Sequence, residues 1–327
     1  MLIPPIYTLT PEISGLLSDI EASKHVIDAI VVPEAVEVNL RRQSHLKSSL
    51  FSARIEGNTL TLDELTHVAS KDQKKAEITN ILKAMSWIQE KAQKDFVEKD
   101  ILTIHKLAMQ GLTEADNLGK LRRNMEAIFN SAGIAIYMPP SPRQVPAAVN
   151  RLVKYITSDK ERFVPIKAVL AHYIFEKIHP FLDGNGRVGR LLIQKVLAHG
   201  GYGMKGMLSI EEYYENHRSE YYRMLEEPEK DLTEYVAFML TAIAETAKAA
   251  RETILSKKNV EPEDFLLPRR AEIVQIIKDH KLVNFDQIRR RFLQVNERTL
   301  RYDLLSLQKG GFIRKLGSTK GVYYELT

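Results

Sequence analysis

Apolar residues recur at helical spacing along most of the chain, and this pattern predicts a mainly α-helical protein. In residues 166–178 the apolar side chains share one face of a predicted helix; they are Val169, Leu170, Tyr173, Ile174 and Ile178. A second helix follows, with Leu191, Leu192 and Val196 continuing the pattern. The same spacing predicts earlier helices in residues 27–52, 62–68, 78–88 and 101–112.

One central segment departs from the helical pattern. Two short apolar runs lie on either side of residues 130–133, and Pro139 and Pro140 follow the second run. Short apolar runs that are separated by small and polar residues are typical of a β-hairpin. We therefore predict a hairpin at this point, ended by the two prolines.

The C-terminal end of the chain predicts a different, smaller arrangement. Three helices are expected over residues 270–279, 284–292 and 297–309, with Asn284 as the N-cap of the second. Apolar runs at residues 312–316 and 322–326 then predict a second β-hairpin.

Composition limits the class of protein. The chain has 327 residues, 44% of them hydrophobic and 27% charged, which is typical of a soluble globular protein with two or three domains. It has no cysteine, which excludes disulfides, thiol catalysis and cysteine–zinc sites. Residues 1–17 lack the basic start of a signal peptide, and prolines interrupt the uncharged run 127–142. We expect a cytoplasmic protein with no membrane partner.

Charge is unevenly distributed along the chain. The net charge is +5, but residues 268–327 carry 13 Lys and Arg against 6 Asp and Glu, a net charge of +7. This leaves a net charge of −2 for residues 1–267. A basic C-terminal segment favours a nucleic-acid partner for that end of the chain.

The clearest chemical signal is residues 179–190, with the sequence His-Pro-Phe-Leu-Asp-Gly-Asn-Gly-Arg-Val-Gly-Arg. They join the two helices described first. Pro180 prevents continuation of the first helix, while Gly184 and Gly186 allow positive φ angles and close approach of a ligand to the backbone. The loop thus presents backbone N–H groups at the start of a helix, which is an anion-binding geometry.

The side chains in this loop complete a site for nucleotide phosphates. His179 can act as a general base near neutral pH, and Asp183 can hold Mg²⁺ together with phosphate oxygens. Arg187 and Arg190 are three residues apart on a helix, so both can bind phosphates. A lone histidine is usually structural and a lone Gly-Asn-Gly is usually a turn. The complete set favours the phosphate site.

These twelve residues resemble the signature of the Fic family, His-Pro-Phe-x-Asp/Glu-Gly-Asn-x-Arg-x-x-Arg, at every position. Fic domains are mostly helical and typically transfer AMP from ATP to a hydroxyl side chain of a target protein. The resemblance implies that His179 is the base, that Asp183 binds Mg²⁺ and that Arg190 holds the γ-phosphate. It implies that the ATP-binding residues of the loop are Gly184, Asn185, Gly186, Arg187, Gly189 and Arg190.

A second segment resembles the inhibitory motif of Fic proteins, Ser/Thr-x-x-x-Glu-Gly/Asn. It runs from Ser52 to Gly57 and places Glu56 at the motif's glutamate. A glutamate presented from a helix can pair with Arg190 and displace the γ-phosphate. A Glu-Gly pair at a helix end is commonplace, but its place upstream of a complete signature favours an inhibitory role for Ser52 and Glu56.

Two further features fit the same resemblance. The predicted hairpin resembles the flap on which Fic proteins dock the target as an added strand, with Ile134, Ala135, Ile136 and Tyr137 as the docking residues. A buried structural hairpin is the alternative. Tyrosines after the signature resemble those that line the adenine pocket, and we expect Tyr221 and Tyr222 there. Aromatic core packing explains them almost equally well.

The C-terminal segment resembles the winged helix-turn-helix of bacterial regulators, with three helices followed by a two-stranded wing. Polar residues open the third helix, and Arg298, Thr299 and Arg301 are candidates for DNA contacts. Winged helices also serve as dimerisation or protein-docking modules, and this alternative stays open.

Together the patterns predict four segments: an N-terminal helical region with the inhibitory motif (1–100), a Fic catalytic domain (101–255), a linker (256–267) and a winged helix domain (268–327). The fold class is mainly α, a Fic-type helical bundle with a small flap plus the winged helix. The predicted function is Mg²⁺-dependent transfer of AMP from ATP to Ser, Thr or Tyr hydroxyls of target proteins and of the chain itself.

Other functions stay open at this point. The chain could be a DNA-binding regulator whose Fic domain modifies only itself or senses nucleotide. It could catalyse the reverse reaction, with Glu56 aligning a water that removes AMP from a modified protein. Phosphorylation or another nucleotide donor also fits, because a phosphate site does not read the base. A homo-oligomer is possible.

Overall fold

A computed structural model describes residues 3–65, 72–129, 135–226, 231–257, 266–293, 295–317 and 321–327. The chain folds as two compact units. The first comprises Met1–Val31 and Arg41–Leu255, and the second comprises Val32–Leu40 and Ser256–Thr327. The described chain is mainly helical, as predicted. The boundaries at residues 100, 255 and 267 stay a prediction.

The described N-terminal part of the chain consists of five helices and the loops that connect them. Its helices are α1 (Pro11–Ala29), α2 (Glu34–Ile55), α3 (Leu62–Leu65), α4 (Gln73–Glu90) and α5 (Glu98–Ala108). The predicted stretch 27–52 is divided between α1 and α2, because Pro33 disfavours helical backbone at the residue before it. The predicted helix 62–68 is seen to Leu65, and its remaining residues lie outside the described part.

Helix α1 was not predicted over most of its length. Its buried apolar side chains are Ile13, Ile20 and Ile27, which lie seven residues apart. One apolar position every two turns forms a stripe narrower than the usual pattern of a surface helix. The sequence signal for the start of this helix lies at its N terminus. Thr10 accepts a hydrogen bond from the backbone N–H of Ile13, and Pro11 begins the helix.

The core of the first unit is built around one buried helix. The helices of this part are α6 (Val145–Ile156), α7 (Val164–Ile178), α8 (Asn185–His199), α9 (Ile210–Asn216), α10 (Arg218–Glu226) and α11 (Thr233–Ser256). Helix α7 is buried along nearly its whole length, including the polar His172 and Lys177 among its mostly apolar side chains. Helix α8 packs on α7, so the loop between them is anchored at both ends.

The predicted hairpin is present in the described residues. Strand β1 (Ile128–Phe129) pairs antiparallel with β2 (Ala135–Tyr137), with Ile128 opposite Tyr137. The predicted turn and Ile134 lie outside the described residues, as does the side chain of Ile136. Within the described part of the chain, no helix is both long and apolar enough to cross a membrane.

The second unit contains the three predicted helices and the predicted hairpin. The elements are α12 (Pro268–His280), β3 (Val283–Asn284), α13 (Phe285–Arg291), α14 (Glu297–Lys309), β4 (Ile313–Leu316) and β5 (Tyr323–Leu326). The strands form one antiparallel sheet in the order β3-β5-β4. Strand β3 was not predicted, because two residues are too short to show alternation. Asn284 caps α13, as predicted.

Candidate active site

The loop between α7 and α8 begins at an unusual backbone conformation. His179 is the C-cap of α7, in the left-handed region with φ 48° and ψ 61°, and its backbone N–H donates to the carbonyl of Phe175. Non-glycine residues seldom adopt this conformation, so the surrounding structure must hold it. The turn takes the chain out of α7 and leads it through the loop to α8.

Arg122 holds this turn from outside the loop. Its side chain is 3% exposed, and its Nε donates to the carbonyl oxygen of His179 at 2.7 Å. Its Nη2 donates to the carbonyl of Pro140, which follows the hairpin, at 2.5 Å. One buried guanidinium therefore ties the end of α7 to the segment after β2. Sequence reasoning gave Arg122 no role, because its partners are backbone atoms far along the chain.

His105 supports the middle of the loop, and it was also missed. Its Nδ1 accepts a hydrogen bond from the N–H of Gly119 at 2.9 Å, so the ring proton is on Nε2, which donates to the carbonyl of Asp183 at 3.2 Å. The ring also stacks on Phe181 with centroids 3.8 Å apart. Burial lowers the pKa of His105 to about 4, so the ring is neutral at physiological pH. It acts as a fixed support.

Two signature residues shape the loop itself. The side chain of Asn185 bonds both the N–H and the carbonyl of Phe181, at 3.0 and 2.8 Å. Gly184 has φ 80°, and a Cβ at this position would lie 2.4 Å from the sulfur of Met109. The side-chain polar atoms of Asn185 are thus used within the loop, and its backbone remains for a phosphate, so Asn185 as an ATP-binding residue stays a prediction.

The His179 ring has the protonation state that a general base needs. Burial is the main reason that its pKa falls to about 4, and the positive charge of Arg122 lowers it further. The backbone carbonyl of Glu176 and the carboxylates of Glu56 and Asp183 act in the opposite direction. The ring is consequently neutral at pH 7 and able to accept a proton.

Asp183 is the exposed carboxylate of the loop. Its side chain is 56% exposed, and its Oδ1 accepts from the N–H of Gly184 at 2.6 Å and from Nη2 of Arg187 at 3.0 Å. Among the described residues, no group of three or more His, Asp and Glu side chains could hold a metal. A single accessible carboxylate fits a Mg²⁺ ion that takes its other ligands from phosphates and water.

Arg187 is held by a carboxylate that sequence reasoning did not identify. Its Nη1 lies 2.6 Å from Oε1 of Glu77 on α4, and Glu77 also accepts from the side-chain amide of Asn58 at 2.8 Å through Oε2. Asn58 comes two residues after Glu56. Glu77 thus connects the segment after the inhibitory motif to an arginine of the signature.

The predicted ion pair between Glu56 and Arg190 is present. Nη2 of Arg190 lies 2.9 Å from Oε1 of Glu56, and the same guanidinium donates from Nε to the hydroxyl of Ser52 at 3.0 Å and from Nη2 to its carbonyl at 2.9 Å. Arg190 is 1% exposed. In this conformation its donors are directed to the end of α2.

Glu56 also lies over the start of α8. A Cβ on Gly186 would be 2.5 Å from Oε1 of Glu56, so the carboxylate sits against the first turn of this helix. Burial alone raises the pKa of Glu56, but the positive charges of Arg190 and Arg187 outweigh it and bring the pKa below its usual value. The carboxylate is therefore ionised, and it occupies the position that geometry gives to an anion.

Two predicted ATP ligands lie elsewhere. Gly189 faces α7, because a Cβ there would lie 2.1 Å from the buried Oε1 atom of Glu176. Tyr221 is 1% exposed, and its hydroxyl lies 3.0 Å from Nε2 of the buried His172. Both predictions are corrected: Gly189 allows close helix packing, and Tyr221 packs in the core, as the alternative interpretation held. Tyr222 is 41% exposed and donates to the carbonyl of Ile55 at 3.2 Å.

The described part of the flap is fixed next to α7. The hydroxyl of Tyr137 donates to the carbonyl of Lys177 at 3.1 Å, and the ammonium of Lys177 lies 4.6 Å from the centre of the Tyr137 ring. Ala135 is exposed at the start of β2. Because Lys177 is two residues from His179, β2 is anchored close to the candidate base.

The predicted DNA contacts belong to the second unit, on α14. Arg298 is exposed and Thr299 is half-buried. Arg301 is exposed and engaged, with its guanidinium 4.0 Å from the centre of the Phe285 ring and 3.5 Å from the carboxylate of Glu297. Arg298 makes no ion pair with any residue that the structure describes.

Comparison with known proteins finds a matching domain and similar chains. The model of the Fic/DOC family matches residues 95–197. A protein adenylyltransferase Fic from Drosophila mojavensis is 28% identical over 243 residues, covering 70% of this chain and 46% of the relative. The corresponding protein of Drosophila melanogaster is 29% identical over 198 residues, 57% of this chain and 39% of the relative. The chain thus spans less than half the length of these curated relatives.

Solved structures agree with this result. A crystal structure of a Fic family protein from Desulfovibrio desulfuricans has 26% sequence identity and a TM-score of 0.66, and the match covers 99% of this chain and 98% of that one. Fic-1 from C. elegans shares the fold with a TM-score of 0.61 at 19% identity, over 75% of this chain and 73% of that one. The chain therefore contains a Fic/DOC domain at residues 95–197 and is similar to a Fic family protein over nearly its whole length.

Proposed function

We propose that this chain is a protein adenylyltransferase that moves AMP from ATP to a hydroxyl side chain of a target protein and of itself. The observation that carries the proposal is a half-buried histidine at the entry of a helix N-terminal anion site, with Asp183, Arg187 and Arg190 in the same loop and helix. The similarity to proteins named protein adenylyltransferase Fic supports the same activity.

Different residues of the chain have different roles in this reaction. ATP phosphates bind over the first turn of α8, where Gly186 leaves room and the helix dipole favours anions. Asp183 would hold Mg²⁺, which would offset charge on the phosphates. Arg187 and Arg190 bind the β- and γ-phosphates and stabilise the charge that develops on them.

His179 then acts on the target hydroxyl. Because Nδ1 is buried, Nε2 is the ring nitrogen that accepts the hydroxyl proton. The hydroxyl oxygen forms a bond to the α-phosphorus while the bond from that phosphorus to the bridging oxygen breaks, and pyrophosphate leaves. The flap holds the target as an added strand beside β2, so the hydroxyl reaches the loop.

Glu56 inhibits this reaction by occupying two positions that ATP needs. Its carboxylate pairs with Arg190 and lies against the first turn of α8. A γ-phosphate on Arg190 therefore requires Glu56 to leave. A water aligned by Glu56 for the reverse reaction remains the alternative for this side chain.

The experiment for this assignment is His179→Ala. Transfer should be abolished while ATP binding is largely kept, since the base acts only on the attacking hydroxyl. Both are measured on purified protein, transfer with α-labelled ATP and binding by calorimetry. The matched control is His199→Ala, which changes a histidine at the end of α8. Unchanged transfer by His179→Ala would contradict the role given to this ring.

We propose a second function for the second unit, DNA binding by a winged helix. Its support is the net charge of +7 of residues 268–327 and the exposed Arg298 at the start of α14, which makes no ion pair with a described residue. In winged helices this end of the third helix meets base edges. A DNA-binding regulator whose Fic domain modifies only itself is the related alternative. A cytoplasmic location and a homo-oligomer stay predictions.

Salt dependence tests this second function. DNA affinity of the full chain should fall steeply with salt, because basic side chains release counterions from phosphates. Arg298→Ala and Arg301→Ala should each cost about 1–3 kcal/mol if they reach base edges. Arg314→Ala is the control, since Arg314 pairs with Glu325 on the neighbouring strand. Binding that does not change with salt, or absence of binding, would make the unit a protein-docking module.

A further inference from the structure

A groove opens where β2 ends and continues along the exposed side of α6. The strand side contributes Tyr137 and Met138, and the helix side contributes Arg143, Gln144, Ala147 and Arg151. Met138 is 58% exposed, so one wall offers an apolar surface. The other wall carries two guanidinium groups. A groove with one apolar and one basic wall fits a segment of extended chain with acidic side chains.

The basic charge of this groove is not neutralised within the described chain. Neither Arg143 nor Arg151 makes an ion pair with a described residue, and both are exposed. Residues 127–158 contain Arg143, Arg151 and Lys154 and no Asp or Glu. Exposed arginines without acidic neighbours produce a local positive potential, and their planar fork suits carboxylates.

The groove is continuous with the proposed target-binding strand. Among the described residues β2 pairs only with β1, so a target strand that joins β2 at its other edge would continue past Tyr137 toward α6. Arg143 lies just before α6 and Arg151 lies two turns into it. At ~1.5 Å per helical residue they are roughly 12 Å apart, which is the length of about four residues of extended chain.

We propose that this groove binds acidic residues of the target polypeptide, in the segment that continues from the strand paired with β2. The inference rests on the proposed adenylyltransferase function and names the substrate class of that site. Main-chain pairing to β2 places the hydroxyl without reading sequence. Arg143 and Arg151 then supply the sequence preference, for Asp or Glu within about four residues of one another.

The test uses two peptides and the full chain carrying Glu56→Gly. Both peptides have the same central Thr, with Glu residues in one and Lys residues in the other at the positions that follow it. Binding is measured by fluorescence anisotropy and modification by incorporation of α-labelled ATP. The Glu peptide should bind at least tenfold more tightly and have a correspondingly lower KM, and the difference should shrink as salt rises.

Charge reversal tests whether Arg143 and Arg151 cause the preference for acidic residues. Arg143→Glu with Arg151→Glu should invert the preference and leave ATP affinity unchanged, because neither side chain lies in the phosphate site. Lys154→Glu is the matched control: it reverses a charge on α6 outside the groove and should leave the preference intact.

The outcomes separate this inference from the proposed activity. Equal binding of the two peptides, or a preference that survives the double reversal, would overturn the groove as the acidic-residue site. Anisotropy needs no chemistry, so preferential binding of the Glu peptide without any AMP transfer would support the groove and contradict the proposed activity. Transfer of AMP to both peptides without a preference would support the proposed activity and contradict the groove.

Discussion

Replacement of Glu56 by glycine should release the activity of this protein. In the structure Glu56 contacts Arg190 at 2.9 Å and lies against Gly186 at the start of α8. A hydrogen bond between charged groups contributes about 1.5–3 kcal/mol. Since about 1.4 kcal/mol is a factor of ten in rate, removal of this competitor for the γ-phosphate should raise auto-modification by ~10-fold to ~150-fold. The Glu56 side chain is 28% exposed, so solvent screening favours the lower end.

The assay is the initial rate of label incorporation from α-labelled ATP into the purified protein, at ATP below saturation. Glu56→Gln keeps the size of the side chain but removes its charge, and it should give an intermediate rate. Glu90→Gly is the matched control, because Glu90 is an exposed glutamate at the end of α4, and it should leave the rate unchanged.

The reasoning would be refuted by a Glu56→Gly protein that binds ATP but modifies itself no faster than the unaltered chain. In that case the pair with Arg190 would be structural, or Glu56 would act in removal of AMP. A rise of the same size in Glu90→Gly would also contradict it, because the effect would then not depend on the contact with Arg190.

Three further predictions concern the loop and its supports. His179 should be neutral at pH 6 by imidazole NMR, because burial lowers its pKa from 6.5 to about 4; its contribution to the free energy of unfolding is complete above pH 6.5 and declines as the pH falls toward 4, and titration near 6.5 would contradict this. Glu77→Gln in the Glu56→Gly protein should raise the KM for ATP severalfold, because Arg187 loses its charged partner; faster transfer instead would mean that Glu77 stabilises the inhibited state. Gly184→Ala should cost about 1–3 kcal/mol of stability in denaturant unfolding, because its φ is 80° and its Cβ would collide with a methionine sulfur; unchanged stability would show that the loop adapts.

Much of the active-site loop could be predicted from sequence because its chemistry is local. The glycines, the histidine and the arginines are close together in the chain, and the helices on either side show apolar periodicity. The pairing of Glu56 with Arg190 was also predictable, because the motif around Glu56 resembles one that pairs with this arginine. Helix α14 was predicted with the bounds that the structure gives it. The residues that begin and end it, Asn296 as N-cap and Gly310 as C-cap, are recognisable in the local sequence.

The supports of the loop could not be predicted in this way. Arg122, His105 and Glu77 contact the loop from three different parts of the chain. Arg122 and His105 form hydrogen bonds to backbone carbonyls, and every residue has such a carbonyl, so the sequence does not indicate these partners. Tyr221 was assigned to the wrong surface because its position in the chain does not tell which side of α10 faces the core.

The most direct test of the central claim is incubation of the purified protein with ATP labelled at the α-phosphate or at the γ-phosphate, in the presence of Mg²⁺. The Glu56→Gly protein is used so that Arg190 is free of its inhibitory partner. We expect stable label on the protein from the α position and none from the γ position, and no label in either case when His179→Ala is added. Label from the γ position would indicate phosphorylation, and absence of label from both would contradict adenylyl transfer.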